Sequence, residues 1–486
     1  MENLWGLSIE LIEELGTELQ TFYDHFTALF TTKTRDVSHH GFTGLKGSLL
    51  MDGKRTYTEV SRKIVDPLDD GQNYQHFMSD SPWSSQPIFD AIQGQIVGRF
   101  ASTAGMLNVD ESGDACSSTS KAGAQKQYLG RLGKIDVGQV GVISSWYGEG
   151  VWALTDAELF LPESWFAPDK RAEWDRLHIP EDREFCRKLD LAQQQIDRAI
   201  ANQLPFEVVG ADSFYGRDGA FRDHIAAQQR WYMVSVPCHL TVFLEEPQIG
   251  IPAKPPGQRG PTPKHEQVLS PTAPVQVREL RKRLRFEPLD VRDCERGRLI
   301  YEHAFREVWT LREDARQDTQ GRSSTGLRAV KELLVIRKES TGKYSYSLSN
   351  APITTDKQTL GQWKANRHFV ERTIQDTKTE AGWDDLHSGK YRAYLHTLAI
   401  DALALWFVAQ TKVKLRAGFA ETQSIRQHLG LYRLPDLSFA NVRELLRQVF
   451  PLKTLTKAQA VELVSRHLVN RAKSTKSRLK GTKIQI

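Results

Sequence analysis

Two short apolar runs end in acids. In "GMLNVDESGD" the residues Met106 to Val109 lead straight into Asp110 and Glu111, with Asp114 close behind. In "PFEVVGADSFYG" the run through Phe206, Val208 and Val209 ends at Asp212. A carboxylate at the end of a buried strand is costly unless it is paired or bound to a metal. Two such strands side by side would present two hard oxygen donors, the kind that Mg²⁺ or Mn²⁺ prefers. A third carboxylate would complete such a site. Glu111 falls on the opposite strand face from Asp110 and reads as structural, and Asp114 reads as a turn residue.

The segment "QWKANRHFVERTIQDTKTEAGWDD" supplies candidates for the third acid. Its spacing predicts a helix from about Leu360 to Ala381. On that helix Lys364, Arg367, Glu371 and Lys378 fall within an arc of about 60°. Val370 and Ile374 mark the adjacent buried flank. An acid among cations on one helix face is by default a surface ion-pair ladder. Glu380 competes with Glu371, but the two lie about 180° apart around the axis and about 13 Å apart along it. They cannot serve one site. Glu371 shares its face with Arg367 and Lys378, so it is the choice, and Glu380 is expected to face solvent. Three converging carboxylates would suit two metal ions about 4 Å apart, which can activate a water and stabilise a leaving oxygen in phosphodiester chemistry. Arg367 and Lys378 would then hold backbone phosphates.

The elements that must position these residues follow a readable order. From residue 105 the chain gives strand, strand and strand, with the Gly148–Gly150 turn closing a hairpin. A helix at about 181–202, the Asp212 strand, a helix at about 218–228 and the strand "RWYMVSVP" follow. That is the order of a ribonuclease H-like domain, a mixed α/β sheet flanked by helices. In it the first and fourth strands are neighbours, which would bring Asp110 to Asp212. A Pro/Gly-rich stretch at 247–275 interrupts this order. The strands "RLIYEHAFREVWTL", "RAVKELLVIRKES" and "KYSYSLSN" beyond it form a β-rich insertion. Helical regions precede and follow. The expected divisions are 1–100 (helical, DNA-binding), 101–240 (first part of the catalytic core), 241–355 (insertion), 356–415 (second part of the core) and 416–486 (helical, with a basic tail).

Bulk properties agree with a folded multidomain chain. There are 486 residues, 40% hydrophobic and 26% charged, enough for about three domains. No apolar run reads as long enough to span a membrane, and no secretory basic region is evident, so a cytoplasmic setting is expected. The four cysteines are dispersed without CxxC spacing, which argues against zinc. Net charge is only +5. It is concentrated in the tail, where Arg471, Lys473, Lys476, Arg478 and Lys480 lie in a stretch with no acid. Such a run is either a solvated tail or a phosphate-binding surface.

The Asp110 strand, "QYLGRLGKIDVGQVGV", "FLPESW", "GADSFYG" and the R-x3-E-x6-K helix of Arg367, Glu371 and Lys378 together resemble the DDE transposases of bacterial insertion sequences. The branch is the one with a Tyr-Arg-Glu-Lys signature, and the likeness spans roughly 40–415. Lys364 stands where that signature has tyrosine, so Trp363 or Lys364 would take over its contact with the transposon end. The resemblance implies metal-bound Asp110, Asp212 and Glu371 with two Mg²⁺ or Mn²⁺ ions. It implies DNA as partner, cleavage at terminal inverted repeats, joining of 3′-hydroxyls to target DNA, a homodimeric synaptic complex and a nucleoid-associated bacterial setting. Some relatives stack a flipped base on an aromatic of the insertion, and Trp309 is the candidate here, against the alternative that it packs the insertion's own core. Two other readings remain: a stand-alone nuclease of the same fold, and a transposase-derived regulator that binds DNA without cutting.

Overall fold

The computed structural model describes residues 9–254, 263–294, 297–317, 323–385, 389–418, 430 and 437–481. Five helices come first: α1 (Ile9–Asp24), α2 (Ser38–Leu50), α3 (Tyr57–Ile64), α4 (Gln72–Ser79) and α5 (Gln86–Phe100). The strands β1 (Met106–Ala115), β2 (Gln125–Leu129), β3 (Lys134–Gly148) and β4 (Val151–Leu159) follow. Then come α6 (Lys188–Ala201), β5 (Val208–Ala211), α7 (Gly219–Ala227) and β6 (Trp231–Val236). Four more strands, β7 (Glu287–Cys294), β8 (Gly297–Gln317), β9 (Ser323–Lys338) and β10 (Tyr344–Ser349), precede α8 (Lys357–Asn366) and α9 (His368–Gln375). The chain continues through a π-helical turn (Asp376–Ala381), α10 (Tyr391–Gly418), α11 (Phe439–Val449) and α12 (Lys457–Gly481).

These strands form one sheet in the order β7-β8-β9-β10-β6-β5-β1-β3-β2, with β4 paired to the second half of β3. Within it, β4-β3-β1-β5-β6 is the ribonuclease H-like core: β1 runs antiparallel to β3 and parallel to β5, and β5 runs parallel to β6. The fold is therefore the mixed α/β arrangement read from the sequence. A strand covered on both faces needs a continuous apolar run. Met106 to Val109 and Val208 to Ala211 are accordingly all buried, Asn108 included. The strands beyond the Pro/Gly-rich stretch join the same sheet, because β10 pairs with β6. Behind β8 and β9 lies a buried ionic cluster. Glu332 is paired with Arg222 at 2.8 Å and Arg312 at 3.1 Å, and all three side chains are essentially inaccessible.

The N-terminal helices and α11 pack around α10, which also covers β4. His396 of α10 bonds the Met78 and Trp83 carbonyls at 2.9 and 2.8 Å, and Asp401 accepts from Ser48 at 2.8 Å. The Tyr391–Leu415 stretch is long and apolar enough to cross a bilayer, contrary to the sequence reading, but 94% of its apolar window is buried inside the protein. It is the core helix that joins the terminal regions to the sheet.

Candidate active site

The ladder between β1 and β5 ends at the pair Val109–Ala211. Asp110 and Asp212 are the next residues on the two strands, on neighbouring positions about 4.8 Å apart by strand spacing. β1 continues to Ala115 through its pairing with β3, so Asp114 is a strand residue rather than the turn residue expected. β5 stops, and Asp212 caps the short helix Ser213–Gly216, its Oδ1 accepting from the amides of Phe214 (2.9 Å) and Tyr215 (3.3 Å). That cap fixes the carboxylate at the C-terminal end of β5, in the middle of the sheet.

The third acid comes from α9. This helix lays Phe369, Val370 and Thr373 on the sheet. Phe369 stacks on Tyr147 with ring centroids 3.8 Å apart, and the Thr373 and Ser145 hydroxyls bond at 2.6 Å. Docking by that face turns Glu371, Ile374 and Gln375 toward a cleft of about 980 Å³ that Asp110 and Asp212 also line. Glu380 does not line it. It is paired with Arg443 of α11 at 3.0 Å instead of facing solvent.

Electrostatics set the three acids apart. Burial, and next the charge of Asp212, push the Asp110 carboxyl up to about 7, against the pull of Arg367. Glu371 is half exposed and held below the usual carboxylate range, first by its hydrogen bond with His368 and then by Arg367. The Arg367 guanidinium bridges the two, 3.5 Å from Asp110 and ion-paired with Glu371. The all-oxygen donor set of Asp110 and Asp212, with one carboxyl resisting ionisation beside the other, fits a divalent cation. Glu371 is turned to Arg367, and among the described residues no three metal-ligating side chains are spaced to hold an ion.

The cations are placed differently from expectation. The helix predicted over 360–381 is interrupted at Arg367 and widens to a π-helical turn at Asp376, which shifts everything beyond it. Lys378 lines the cleft but is buried and ion-paired with Asp114, with Asp384 at 3.7 Å. Lys364 is a correction: it is buried, donates to Ser347 at 2.5 Å and is not on the cleft. The sheet covers that face of α8, and burial lowers the Lys364 ammonium well below its usual value. Trp363 is buried in the apolar cluster of Met106, Val208 and Leu360, so neither residue occupies the place of the signature tyrosine at the surface. Trp309 is also away from the cleft. It is half-buried on β8, and its amide and carbonyl exchange 2.8 Å hydrogen bonds with Phe243. Arg471, Lys473 and Lys476 are exposed on α12, while the side chains of Arg478 and Lys480 lie outside the described residues.

Cleft residues that spacing did not single out include Tyr128 on β2, Arg131 in the turn between β2 and β3, Arg217 after the Asp212 helix, and His239. The only sequence signal for the first pair is the glycine-flanked turn "GRLG", where Gly133 takes a left-handed conformation (φ 62°).

A ribonuclease H-like sheet with three carboxylates lining one cleft where its central parallel ladder ends is the frame of a DDE nuclease, and the family model of the DDE superfamily endonucleases matches residues 21–298. The chain belongs to that superfamily. The matched span holds Asp110 and Asp212 and ends before Glu371. A probable transposase for insertion sequence element IS701 from Microchaete diplosiphon is 27% identical over 199 residues, which cover 41% of this chain and 49% of that protein. The chain thus spans about half the length of this curated relative.

Proposed function

We propose that this protein is the transposase of an insertion sequence, cutting DNA at the ends of its element and joining the freed 3′-hydroxyls to a target. The observation that carries this reading is the convergence of Asp110, Asp212 and Glu371, from three separate elements, on one cleft. Asp110 and Asp212 would hold divalent metal, Mg²⁺ or Mn²⁺ and two ions when fully loaded, with Glu371 completing the set once it releases Arg367. Bound metal would polarise the phosphodiester and lower the pKa of the attacking water or hydroxyl. In the first step water adds to phosphorus and the P–O3′ bond breaks. In the second, the released 3′-hydroxyl attacks a target phosphodiester and a target 3′-hydroxyl leaves.

The protein's own groups have defined parts in this scheme. The Asp212 cap and the Phe369–Tyr147 stack hold two of the acids in place. Arg367, once freed from Glu371, would meet a phosphate, and Lys378 would do so by exchanging Asp114 for it. The helices of residues 1–100 and the basic helix α12 are proposed to hold the DNA, and two copies to hold the two ends.

Plasmid nicking in Mg²⁺, followed by joining of pre-cut element ends to a circular target, tests the reading. Both activities together support a transposase. Nicking without joining makes it a nuclease, and binding without either makes it a regulator. The short inverted repeats that bound such elements supply the substrate if they flank the gene.

A further inference from the structure

We infer that the hairpin of β2 and β3 is a stacking site for an unpaired base at a DNA end, with Tyr128 as its platform. This rests on the nucleic-acid reading of the cleft given above. Tyr128 is 57% exposed, yet it lines the same cleft as Asp110, Asp212 and Glu371. Directly across the ladder stands Ile135, 70% exposed and on the same face of the ribbon. Leu132, in the tight turn between the strands, is 45% exposed. An aromatic and two aliphatic side chains clustered on one two-stranded ribbon favour a partner that covers them.

Charge and position point to nucleic acid as that partner. The hairpin carries Lys126, Arg131 and Lys134 against the single acid Asp136. Arg131 also lines the cleft, and its side chain stays 61% exposed although it pairs with Asp384 at 2.8 Å. A phosphodiester lying at the carboxylates would therefore meet a cation and an aromatic face on leaving the cleft. Phe214 also lines the cleft but is half-buried against Tyr215 beneath Lys188 and Arg217, and His239 lines it exposed but offers only the smaller imidazole face. Among the described cleft residues Tyr128 offers the one exposed six-membered aromatic ring. Base pairs inside a duplex hide both faces of each base, whereas an unpaired terminal base shows one. Ile135 would flank the stacked base, and Arg131 would hold its phosphate.

The test is binding of the full chain, in EDTA, to two probes: a short blunt duplex, and the same duplex with a single-stranded 3′ overhang carrying 2-aminopurine. Wild type should favour the overhang and quench its fluorescence. Tyr128→Ala should lose about 5- to 150-fold on the overhang, the range of one base–aromatic stack, with the blunt duplex and the melting temperature unchanged. Tyr128→Phe should retain both binding and quenching. Equal weakening on both probes, or no weakening on either, overturns the inference. So does a change in oligomeric state without a change in overhang preference, which would make the patch a protein contact. If wild type nicks plasmid in Mg²⁺ while Tyr128→Ala keeps full overhang binding, the hairpin role fails and the transposase reading stands. If wild type neither binds nor nicks, both fall.

Discussion

Asp110 and Asp212 occupy the same level of the sheet, each one residue past the last pair of the parallel β1–β5 ladder. Parallel neighbours one residue beyond a shared ladder cannot drift apart without breaking that ladder. The pairing therefore outlasts any rearrangement of the loops around it. Asp110→Asn or Asp212→Asn should reduce cleavage in Mg²⁺ to below a few per cent of wild type, since each removes an anionic donor and keeps the shape. Binding of element-end DNA should stay within a few-fold. Cleavage rates and end-binding titrations of both variants check this, and a variant that cuts at wild-type rate would remove that residue from the site.

Glu371 and Glu380 separate by what each touches. Glu371 is half exposed over the cleft, so Glu371→Gln should alter stability by no more than about 0.5 kcal/mol while cleavage is lost. Glu380 instead anchors the mostly buried Arg443. Glu380→Gln should cut normally and cost about 1–2 kcal/mol, because the arginine loses its charged partner. Denaturant melts beside cleavage assays in Mg²⁺ and Mn²⁺ decide it. The reverse pattern would transfer the third-acid role to Glu380.

The strand order and the two aspartates were legible because they depend on local pattern: apolar runs of strand length, each ending in an acid, with one topology that makes them neighbours. The docking of α9 was partly legible: Val370 lies on the buried flank as expected, whereas Ile374 is half-buried and lines the cleft. Lys364 was misread because a helical wheel shows which residues share a face but not which face the sheet will cover. Lys378 moved because one π-helical turn at Asp376 resets the wheel, and nothing in the spacing of "QDTKTEA" announces it. β2 was passed over because "QKQYL" buries only Leu129 fully, leaving little alternation to read. The joining of β10 to β6 is tertiary, and strand-like composition in residues 297–349 does not specify its neighbour.

Asp401 gives a pH signature independent of the cleft. Its carboxyl is raised to about 7, chiefly by burial, despite the hydrogen bond from Ser48 and the charge of Arg55. An acid raised on folding binds its proton more tightly in the folded state, so stability is greatest below the ordinary carboxylate value. It should fall as pH rises from about 4 to about 7 and stay low above that. Asp401→Asn keeps an oxygen for Ser48 and removes the titration. It should melt much like wild type at pH 4 and be more stable by about 4 kcal/mol at pH 8. Urea midpoints at the two pH values test the sign, and a variant less stable at pH 8 would mean that Arg55 outweighs burial.

The tail tests how DNA is gripped. On α12, Lys473 and Lys476 fall on one side, whereas Arg471 falls about 140–160° away at 100° per residue. A straight duplex lying along the helix can neutralise only one set. The lysine side carries two of these three cations and is the expected one. Removing a cation that neutralises one phosphate should flatten the slope of log K against log salt by about 0.9. Lys473→Ala with Lys476→Ala should therefore flatten it by about 1.8, and Arg471→Ala should leave it within error. Sequence preference should not change, because cations that meet phosphates position a protein without specifying a site. Salt titrations of end DNA and of unrelated DNA supply the numbers. Equal effects from Arg471 and the lysines would mean that DNA wraps the helix, and no effect from either would make α12 a solvated helix.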